Sequence, residues 1–197
     1  IDVQVVLLSC TKNMLKTIWC AARTCYSPLP PQELWESQPS ETEMLRIAHR
    51  IFTSRHLSVA EHCTLTYAIS GVSRSLLAQY TRHRIGVSLS VQSQRYVSTQ
   101  RITGELQVHP PSMENGEAQS VYDDFVALAL EKYAELTSLG VPKEDARFVL
   151  PGGVKTNFVT TVNLRSLLDL YEKRVTTPGA QWEIKDMVTR MAQIAVE

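Results

Sequence analysis

Five arginines lie in a stretch of the chain that contains no acidic residue. Between His62 and Gly104 there is no Asp or Glu, although the whole protein is neutral, with 20 Lys+Arg against 20 Asp+Glu. These arginines are Arg74, Arg82, Arg84, Arg95 and Arg101. Cations that gather without counter-ions are costly unless a group outside the chain neutralises them. Because the planar guanidinium fork matches phosphate and carboxylate oxygens, the stretch predicts a site for a small anionic ligand such as a nucleotide.

The segment RHRIGVSLSVQSQRY at 82–96 carries the strongest local signal. It combines guanidiniums with serine hydroxyls and the amides of Gln92 and Gln94, which are the donors that a ligand rich in anionic oxygens needs. Cations at the end of a helix also complement the helix dipole, and this alternative explains one or two of the charges. It does not explain five arginines without an acid, so the pattern favours a ligand site.

A second polar cluster, directly before a predicted strand, contains His56, Ser58, Glu61 and His62. Two histidines and a carboxylate are a common set of zinc ligands. The spacing H-x4-E-H differs from the helical HExxH pattern, however, and no further strong ligand is adjacent. We therefore predict no metal here. The cluster is either a set of solvated or core-satisfied side chains, or the start of a strand that contacts a ligand.

Further polar residues recur in the last third of the chain, namely Arg147, Asn163, Arg165 and Arg174. Arg165 and Arg174 are nine residues apart, which on one straight α-helix places them roughly 180° apart. Two such residues are not expected to serve the same pocket of one subunit. Either one of them forms an ordinary surface ion pair, or the helix lies between two sites and the protein is an oligomer.

The composition narrows the class of partner. A chain of 197 residues with 44% hydrophobic residues can bury a substantial core, and its zero net charge argues against a general nucleic-acid or membrane-surface binder. The partner is therefore expected to be small. Four cysteines without CxxC spacing and no apolar run of membrane length favour free thiols in a cytoplasmic protein.

Hydrophobic periodicity and capping residues predict the elements that position these side chains. Helices are predicted at 11–24, 40–54, 73–83, 117–139, 142–149, 164–174 and from 178 to the end. Strands are predicted at 1–8, 63–69, 87–91, 105–109 and 156–162, and prolines make 27–32 irregular. Short strands alternating with longer helices predict one compact α+β domain over 1–197, with a mixed or antiparallel sheet packed against several helices.

Several of these segments together resemble the flavin-dependent thymidylate synthases. That family's signature is RHR followed, after seven residues, by Ser and usually by x-Arg-Tyr; here eight residues separate Arg84 from Ser93, and Gln94-Arg95-Tyr96 follow. Motifs outside the signature occur in the same order and extend the resemblance over most of the chain. They are His56-x-Ser58-x-x-Glu61-His62, Gln79 three residues before Arg82, GVPKEDARFVLP at 140–151, TVNLRSLLDLYEKR at 161–174 and AQWEI at 180–184.

The resemblance implies an enzyme that makes dTMP from dUMP by reductive methylation, with methylenetetrahydrofolate as the carbon donor and FAD, reduced by NADPH, as the hydride carrier. It also implies a homotetramer whose active sites are built from more than one subunit, which agrees with a helix between two sites. The residues implied to bind dUMP are Gln79, Arg82, Gln92, Ser93, Gln94, Arg95, Arg147 and Arg174. Those implied to contact FAD are Ser58, Glu61, Arg82, His83, Arg84, Asn163, Arg165 and Asp169, and His56 would lie near the folate and nicotinamide entrance.

Arg174 is the residue implied to be catalytic, as a permanent cation at N3 and O2 of uracil that lowers the cost of negative charge on the ring. Asp169 occupies a position that is commonly Asn in the family, and a carboxylate near a flavin would disfavour the anionic reduced flavin or else take up a proton or an Arg partner. No base at fixed spacing activates Ser93 as a nucleophile, and no cysteine lies in a motif, so we expect no covalent adduct. Two other functions stay open: a nucleotide or single-stranded RNA binder that stacks bases on Tyr80 and Tyr96, and a zinc hydrolase.

Overall fold

The computed structural model describes residues 3–96 and 106–196. The strands of these residues are β1 (Gln4–Cys10), β2 (Thr64–Ser73), β3 (Val87–Val91) and β4 (Lys155–Asn163). They form one antiparallel sheet in the order β1-β2-β4-β3. The α-helices are α1 (Met14–Thr24), α2 (Pro31–Glu36), α3 (Glu41–Thr53), α4 (Arg74–Tyr80), α5 (Gly116–Ser138), α6 (Lys143–Ala146), α7 (Leu164–Tyr171) and α8 (Trp182–Val196). Short 3-10 turns occur at Leu57–His62, Pro111–Met113 and Arg147–Val149, and a π-helical turn at Glu172–Thr176.

The predicted α+β class with an antiparallel sheet and several helices is confirmed. By its internal contacts the chain forms two compact units, which no linker in the sequence marked. Unit 1 comprises Ile1–Val5, Ala68–Arg82 and Leu89–Val159, and unit 2 comprises Val6–Tyr67, His83–Ser88 and Thr160–Glu197. The assignment of 1–197 to a single functional domain stays a prediction. No helix within the described ranges is long and apolar enough to cross a membrane.

The core of unit 1 is centred on aromatic packing between α4 and β4. The ring of Tyr80 is fully buried and stacks on Phe158 with the ring centroids 5.3 Å apart. The backbone at Gly153 lies directly against Tyr122. A Cβ at this position would lie 2.0 Å from the hydroxyl oxygen of the tyrosine. That hydroxyl donates to the backbone oxygen of Val108 at 2.9 Å, so only glycine leaves the tyrosine its place.

The core of unit 2 lies where α1 packs against α3 and the start of β2. Its centre is a buried cluster of Ile18, Ala48, Ile51 and Cys63. Helix α8 adds a second set of buried side chains, and the hydroxyl of Tyr67 donates to the backbone oxygen of Met191 at 2.9 Å. A buried phenol needs such a partner, because an unpaired hydroxyl in an apolar core is costly.

The predicted starts of three helices are confirmed by their caps. The side chains of Ser40, Ser73 and Asn163 each accept a hydrogen bond from the backbone N–H three residues on, at 3.2, 2.9 and 2.8 Å. A side-chain oxygen at the N-cap satisfies one of the donors that the first turn leaves free. These caps place α3, α4 and α7 where the sequence predicts them.

Other predicted elements are wrong in part. Residues 27–32 are not irregular throughout, because α2 begins at Pro31, whose missing N–H costs nothing at the first position of a helix. Of the predicted strand at 105–109, the described residues form only an isolated antiparallel bridge between Gln107 and Val154. The predicted helix at 164–174 is α-helical only to Tyr171 and continues as the π-helical turn.

Candidate functional site

Strand β3 leads into the loop at 92–96, which contains four of the residues implied to bind dUMP. Arg74, the first residue of α4, donates through Nη2 to the backbone oxygen of Gln92 at 2.8 Å. The side-chain oxygen of Gln92 accepts a hydrogen bond from Asn157 at 2.9 Å, and Asn157 in turn accepts from the N–H of Gly71 at 3.0 Å. The start of this loop is therefore fixed by residues of α4, β2 and β4.

Arg74 is one of the five arginines of the acid-free segment, but the family resemblance assigned it no role. Its Nε is buried and makes no hydrogen bond within the described residues. Burial lowers the pKa of Arg74, and the nearby charge of Arg147 lowers it further. Two cations that approach each other around a buried, unsatisfied donor are stabilised by an anion from outside the chain. The acid-free segment in the sequence already contained the signal, but the proximity of Arg147 did not show there.

Arg95 has a counter-ion in the chain, which the acid-free segment did not predict. Its guanidinium pairs with the carboxylate of Glu144 at 2.8 Å, and both side chains are about half exposed. Arg147 is held on the same residue, because its Nε donates to the backbone oxygen of Glu144 at 3.0 Å. The expectation that the arginines of the segment find no acid within the chain is thus wrong for Arg95. The acid comes from a distant part of the sequence, in α6.

Arg82 and Arg84 have no such partner among the described residues. Both are exposed, and no carboxylate of residues 3–96 or 106–196 lies within ion-pair distance of either side chain. Arg101, the fifth arginine of the segment, lies outside the described residues. Arg82 and Arg84 therefore present permanent positive charge to solvent or to a ligand.

In unit 2, the chain after Arg84 is fastened to the start of α7. The backbone N–H of Asn163 donates to the oxygen of Gly86 at 3.0 Å, and the hydroxyl of Ser166 donates to the oxygen of Ile85 at 2.8 Å. Gly86 has a φ of +66°, and a Cβ at this position would lie 2.3 Å from the side-chain nitrogen of Asn163. Only glycine fits both the backbone conformation and the space. Asn163 is thereby fixed at the N-cap.

Two of the residues implied to contact FAD pair with each other. Arg165 on α7 forms an ion pair with Glu61 in the 3-10 turn, and both side chains are about half exposed. Asp169, one turn further along α7, pairs with Lys173 at 2.8 Å. The carboxylate that replaces the family's usual asparagine thus has a cationic partner, as its charge requires, but the partner is a lysine.

Arg174 contacts a residue of the RHR motif. Its Nε donates to His83 Nε2 at 2.9 Å. Because a guanidinium can only donate, this bond requires a neutral His83 with its ring proton on Nδ1. The premise of a straight helix through Arg165 and Arg174 is wrong, since Glu172–Thr176 is a π-helical turn with a wider step. The oligomer inferred from that premise stays a prediction.

Two observations bear on the alternative functions. No three metal-binding side chains converge anywhere in 3–96 or 106–196, so His56, Glu61 and His62 do not form the cluster that a zinc hydrolase needs. Tyr80 is fully buried, so it cannot offer a stacking surface for RNA bases, whereas Tyr96 is 76% exposed.

The implied contacts divide between the two units. Apart from Arg174, the residues implied to bind dUMP lie in unit 1, and apart from Arg82, those implied to contact FAD lie in unit 2. The structure joins Glu61 to Arg165 by a direct contact. For Ser58, which is exposed, and for Gln79, whose side chain donates to the backbone oxygen of Ser75 in its own helix, the assignments stay predictions.

The fold is α+β, and the guanidiniums of Arg82 and Arg84 make no ion pair within the described residues. Residues 6–197 match the family model described as thymidylate synthase complementing protein. The chain therefore belongs to this family, the flavin-dependent thymidylate synthases.

Individual relatives agree with this assignment. Proteins named flavin-dependent thymidylate synthase are 40% identical in Haloarcula marismortui, over 72% of this chain and 66% of the relative, and 34% identical in Halobacterium salinarum, over 97% and 90%. The crystal structure of thymidylate synthase X (ThyX) from Helicobacter pylori with FAD and dUMP has a TM-score of 0.76 at 25% identity and covers 96% of this chain and 91% of that one. A UMP/dUMP methylase, PolB from Streptomyces cacaoi, has a TM-score of 0.79 at 21% identity, covering 98% and 89%, and shares the fold.

Proposed function

We propose that this protein is an FAD-dependent thymidylate synthase that methylates dUMP to dTMP. In this proposal methylenetetrahydrofolate donates the carbon and NADPH reduces the flavin. The observation that carries the proposal is the set of arginines without carboxylate partners, within the described residues, at the positions of the family's RHR signature. The relatives named for this activity support the same conclusion.

The dUMP phosphate is proposed to bind at the arginines of unit 1. A dianionic phosphate at neutral pH requires about two cations, and Arg82 and Arg147 are not engaged in ion pairs within the described residues. Arg95 can join them by exchanging its bond to Glu144 for a bond to phosphate. Such an exchange is inexpensive, because a half-exposed ion pair contributes only about 0–1 kcal/mol. Ser93 and Gln94 supply neutral donors beside it.

The chemistry of the donors in unit 2 supports FAD as the cofactor. A flavin dinucleotide carries a pyrophosphate and a polar ring edge. Arg84 offers a cation to them, Asn163 an amide and His83 a neutral imidazole. Arg84 is exposed and makes no ion pair in the described part of the chain, which suits a phosphate contact. The Glu61–Arg165 pair adds a fixed carboxylate and a fixed cation. When bound, FAD supplies the hydride transfer that no side chain can perform.

Arg174 is proposed to act as the electrostatic catalyst. Its Nε is occupied by His83, so the fork is held in one orientation, while its terminal nitrogens make no bond within the described residues. A permanent cation held at N3 and O2 of uracil would stabilise negative charge that develops on the ring during carbon transfer. His83 is then a positioning residue, because it acts through Arg174. The proposal requires no cysteine nucleophile.

A homotetramer with shared active sites is part of the proposal. Helix α5 carries an exposed apolar stripe formed by Val121, Phe125 and Leu128, which are 65%, 56% and 50% exposed. Residues at this spacing lie on one face of a helix. Contiguous exposed apolar side chains on a helix are typical of a surface that packs against another chain, here proposed to be a second copy.

A visible spectrum tests the proposed activity directly. The purified protein should be yellow, and its flavin absorbance should fall when NADPH is added without oxygen. Arg174→Ala should abolish dTMP formation but leave FAD bound. A colourless protein that takes up no FAD would refute the proposal.

Subunit mixing tests the shared sites. Arg174→Ala and Arg82→Ala subunits are each expected to be inactive, but hybrid tetramers should recover part of the activity if one site draws these arginines from different subunits. Subunit exchange is verified with differently tagged chains. No recovery after confirmed exchange would refute shared sites without affecting the assignment of the reaction.

A further inference from the structure

Gln92, the residue that follows strand β3, is held by hydrogen bonds to its backbone and to its side chain. Its N–H donates to the backbone oxygen of Asn157 at 2.9 Å, and its own backbone oxygen accepts from Arg74 at 2.8 Å. Its side-chain Oε1 accepts from Nδ2 of Asn157 at 2.9 Å. The side-chain Nε2 has no partner among the described residues. Gln92 therefore has a fixed position and a donor group that is left for a ligand.

The polarity of the group that Gln92 presents is determined by a backbone N–H. The side-chain oxygen of Asn157 accepts from the N–H of Gly71 at 3.0 Å. Because a backbone N–H can only donate, Asn157 must turn its oxygen to Gly71 and its NH2 to Gln92. That NH2 can also only donate, so Gln92 must turn its oxygen to Asn157. The NH2 of Gln92 consequently faces away from Asn157.

Gly71, Asn157 and Gln92 thus form an amide relay, in which each bond fixes the direction of the next. All three residues lie in unit 1. Asn157 lies on β4 with an exposed side chain, and the family resemblance assigns it no role. Without the relay, the amide of Gln92 could rotate and offer either its oxygen or its nitrogen to a ligand.

A fixed NH2 group distinguishes the two common pyrimidine bases at position 4 of the ring. Uracil has the acceptor O4 at this position, whereas cytosine has a donor amino group. In the proposed function the phosphate takes the arginines of unit 1, and Arg174 takes N3 and O2 of uracil. The acceptor that remains on the base is O4. A site that is built to pair with one polar group rejects an analogue that leaves its own polar group unpaired.

We propose that Asn157 is a positioning residue that selects uracil over cytosine by holding Nε2 of Gln92 as a donor to O4. The inference rests on the proposed function, because it takes dUMP as the substrate. With dCMP, the amino group of cytosine would face the NH2 of Gln92, and neither donor would find an acceptor. Asn157 does not touch the base and acts through Gln92.

Competition calorimetry of the full chain with dUMP and dCMP tests the proposal. The two nucleotides have the same sugar and phosphate, so the ratio of their dissociation constants reports on the base alone. The wild type should bind dUMP at least about 10-fold more tightly than dCMP. In Asn157→Asp, an exposed carboxylate that is ionised at neutral pH accepts from both Gly71 and Gln92. Gln92 must then turn its NH2 inward and present its oxygen, so the preference for dUMP should fall by at least about 5-fold.

Two further variants separate this effect from charge and from folding. Gln92→Glu keeps one oxygen for Asn157 and presents the other to the base, so it should lower the preference in the same direction. Asn115→Asp is the matched control, because it adds the same charge to unit 1 at an exposed side chain that forms no cap bond. It should leave the preference unchanged. Thermal melts verify that the variants fold, and Gln92→Glu gives a second measurement if Asn157→Asp does not.

The proposal is overturned if Asn157→Asp and Gln92→Glu change the affinities for dUMP and dCMP by the same factor. It is also overturned if Asn115→Asp shifts the preference equally, or if the wild type does not prefer dUMP. Flavin absorbance and dTMP formation are measured on the same wild-type sample. A protein that forms dTMP but whose variants keep the preference removes this inference alone. A protein without flavin whose preference still depends on Asn157 removes the proposed reaction and leaves the amide relay as its selector of uracil.

Discussion

Replacing Gly86 by alanine should destabilise the protein through two separate costs. The backbone φ of +66° is left-handed, which costs a residue with a Cβ about 1–2 kcal/mol. The new Cβ would also lie 2.3 Å from Asn163 Nδ2 and 2.4 Å from Ser166 Oγ, distances that real Cβ atoms do not show. The asparagine must move, and the cap that it forms on α7 is worth about 1 kcal/mol.

Together these costs predict a loss of about 2–3 kcal/mol in the free energy of unfolding. For a domain of this size, each kcal/mol lowers the melting temperature by about 2–4 °C, so the midpoint should fall by roughly 5–10 °C. Gly140→Ala is the matched control. Its φ is +87° but no atom lies within 4 Å of the added Cβ, so it bears only the backbone cost. Urea unfolding followed by circular dichroism measures both variants.

The flavin adds a second readout. Because Asn163 is proposed to contact FAD, Gly86→Ala should also weaken FAD binding, whereas Gly140→Ala should leave it unchanged. Quenching of flavin fluorescence on titration with apoprotein measures this affinity. If Gly86→Ala unfolds at the same urea concentration as Gly140→Ala and binds FAD like the wild type, the collision does not occur and the reasoning fails.

Three further predictions concern charged and sulfur groups. Glu144→Gln should tighten dUMP binding by up to about 5-fold in calorimetry. In the variant, Arg95 binds phosphate without first breaking its ion pair with Glu144, which contributes up to about 1 kcal/mol. Weaker binding would contradict this. Arg74→Lys should weaken dUMP binding by about 5-fold or more and spare FAD, because lysine keeps the charge but loses the guanidinium contact to the loop carbonyl; an unchanged dUMP affinity would refute it. Burial raises the pKa of Cys63. A thiol reagent at about pH 8 should therefore label the exposed Cys10 at once and the buried Cys63 only after unfolding. Equal labelling rates would show that solvent reaches Cys63 in the folded protein.

Local features of the fold could be predicted because their causes are local. The oxygen of Ser40, Ser73 or Asn163 reaches an N–H only three residues away, so the sequence alone contains both partners. The alternating VSLSV segment likewise predicts strand β3 at 87–91 with its observed bounds. Such elements depend only on the spacing of residues that are close together in the sequence.

The errors in the fold come from interactions that outweigh local preference. Prolines at 28–31 argued against a helix, yet α2 begins at Pro31, where a proline is tolerated. Residues 106–109 have the alternation of a strand, but within the described residues only Gln107 finds a bridge partner, and a strand needs continuous pairing. The π-helical turn at Glu172–Thr176 follows an apolar periodicity that is typical of an ordinary α-helix.

For the candidate site, the sequence predicts the kinds of residue but not their pairing. Arg95 meets Glu144 across 49 residues, and Arg174 meets His83 across 91. No spacing rule reaches that far, so the acid-free segment predicts arginines without counter-ions and does not reveal an acid from elsewhere in the chain. The buried, unsatisfied nitrogen of Arg74 also became visible only when its neighbours were in place.

The arginines of this chain therefore fall into two physical classes. Arg95 and Arg165 are held by half-exposed carboxylates, and such a pair gives up its partner for phosphate at a cost of about 1 kcal/mol or less. Arg82 and Arg84 have no carboxylate to give up within the described residues, so a bound anion does not have to displace one. The ion pairs of the first class restrict the arginine side chains before a ligand binds. The arginines of the second class supply positive charge that attracts an anionic ligand. A site that needs both order and attraction is better built from the two classes together than from five identical cations, which would repel one another until a ligand bound.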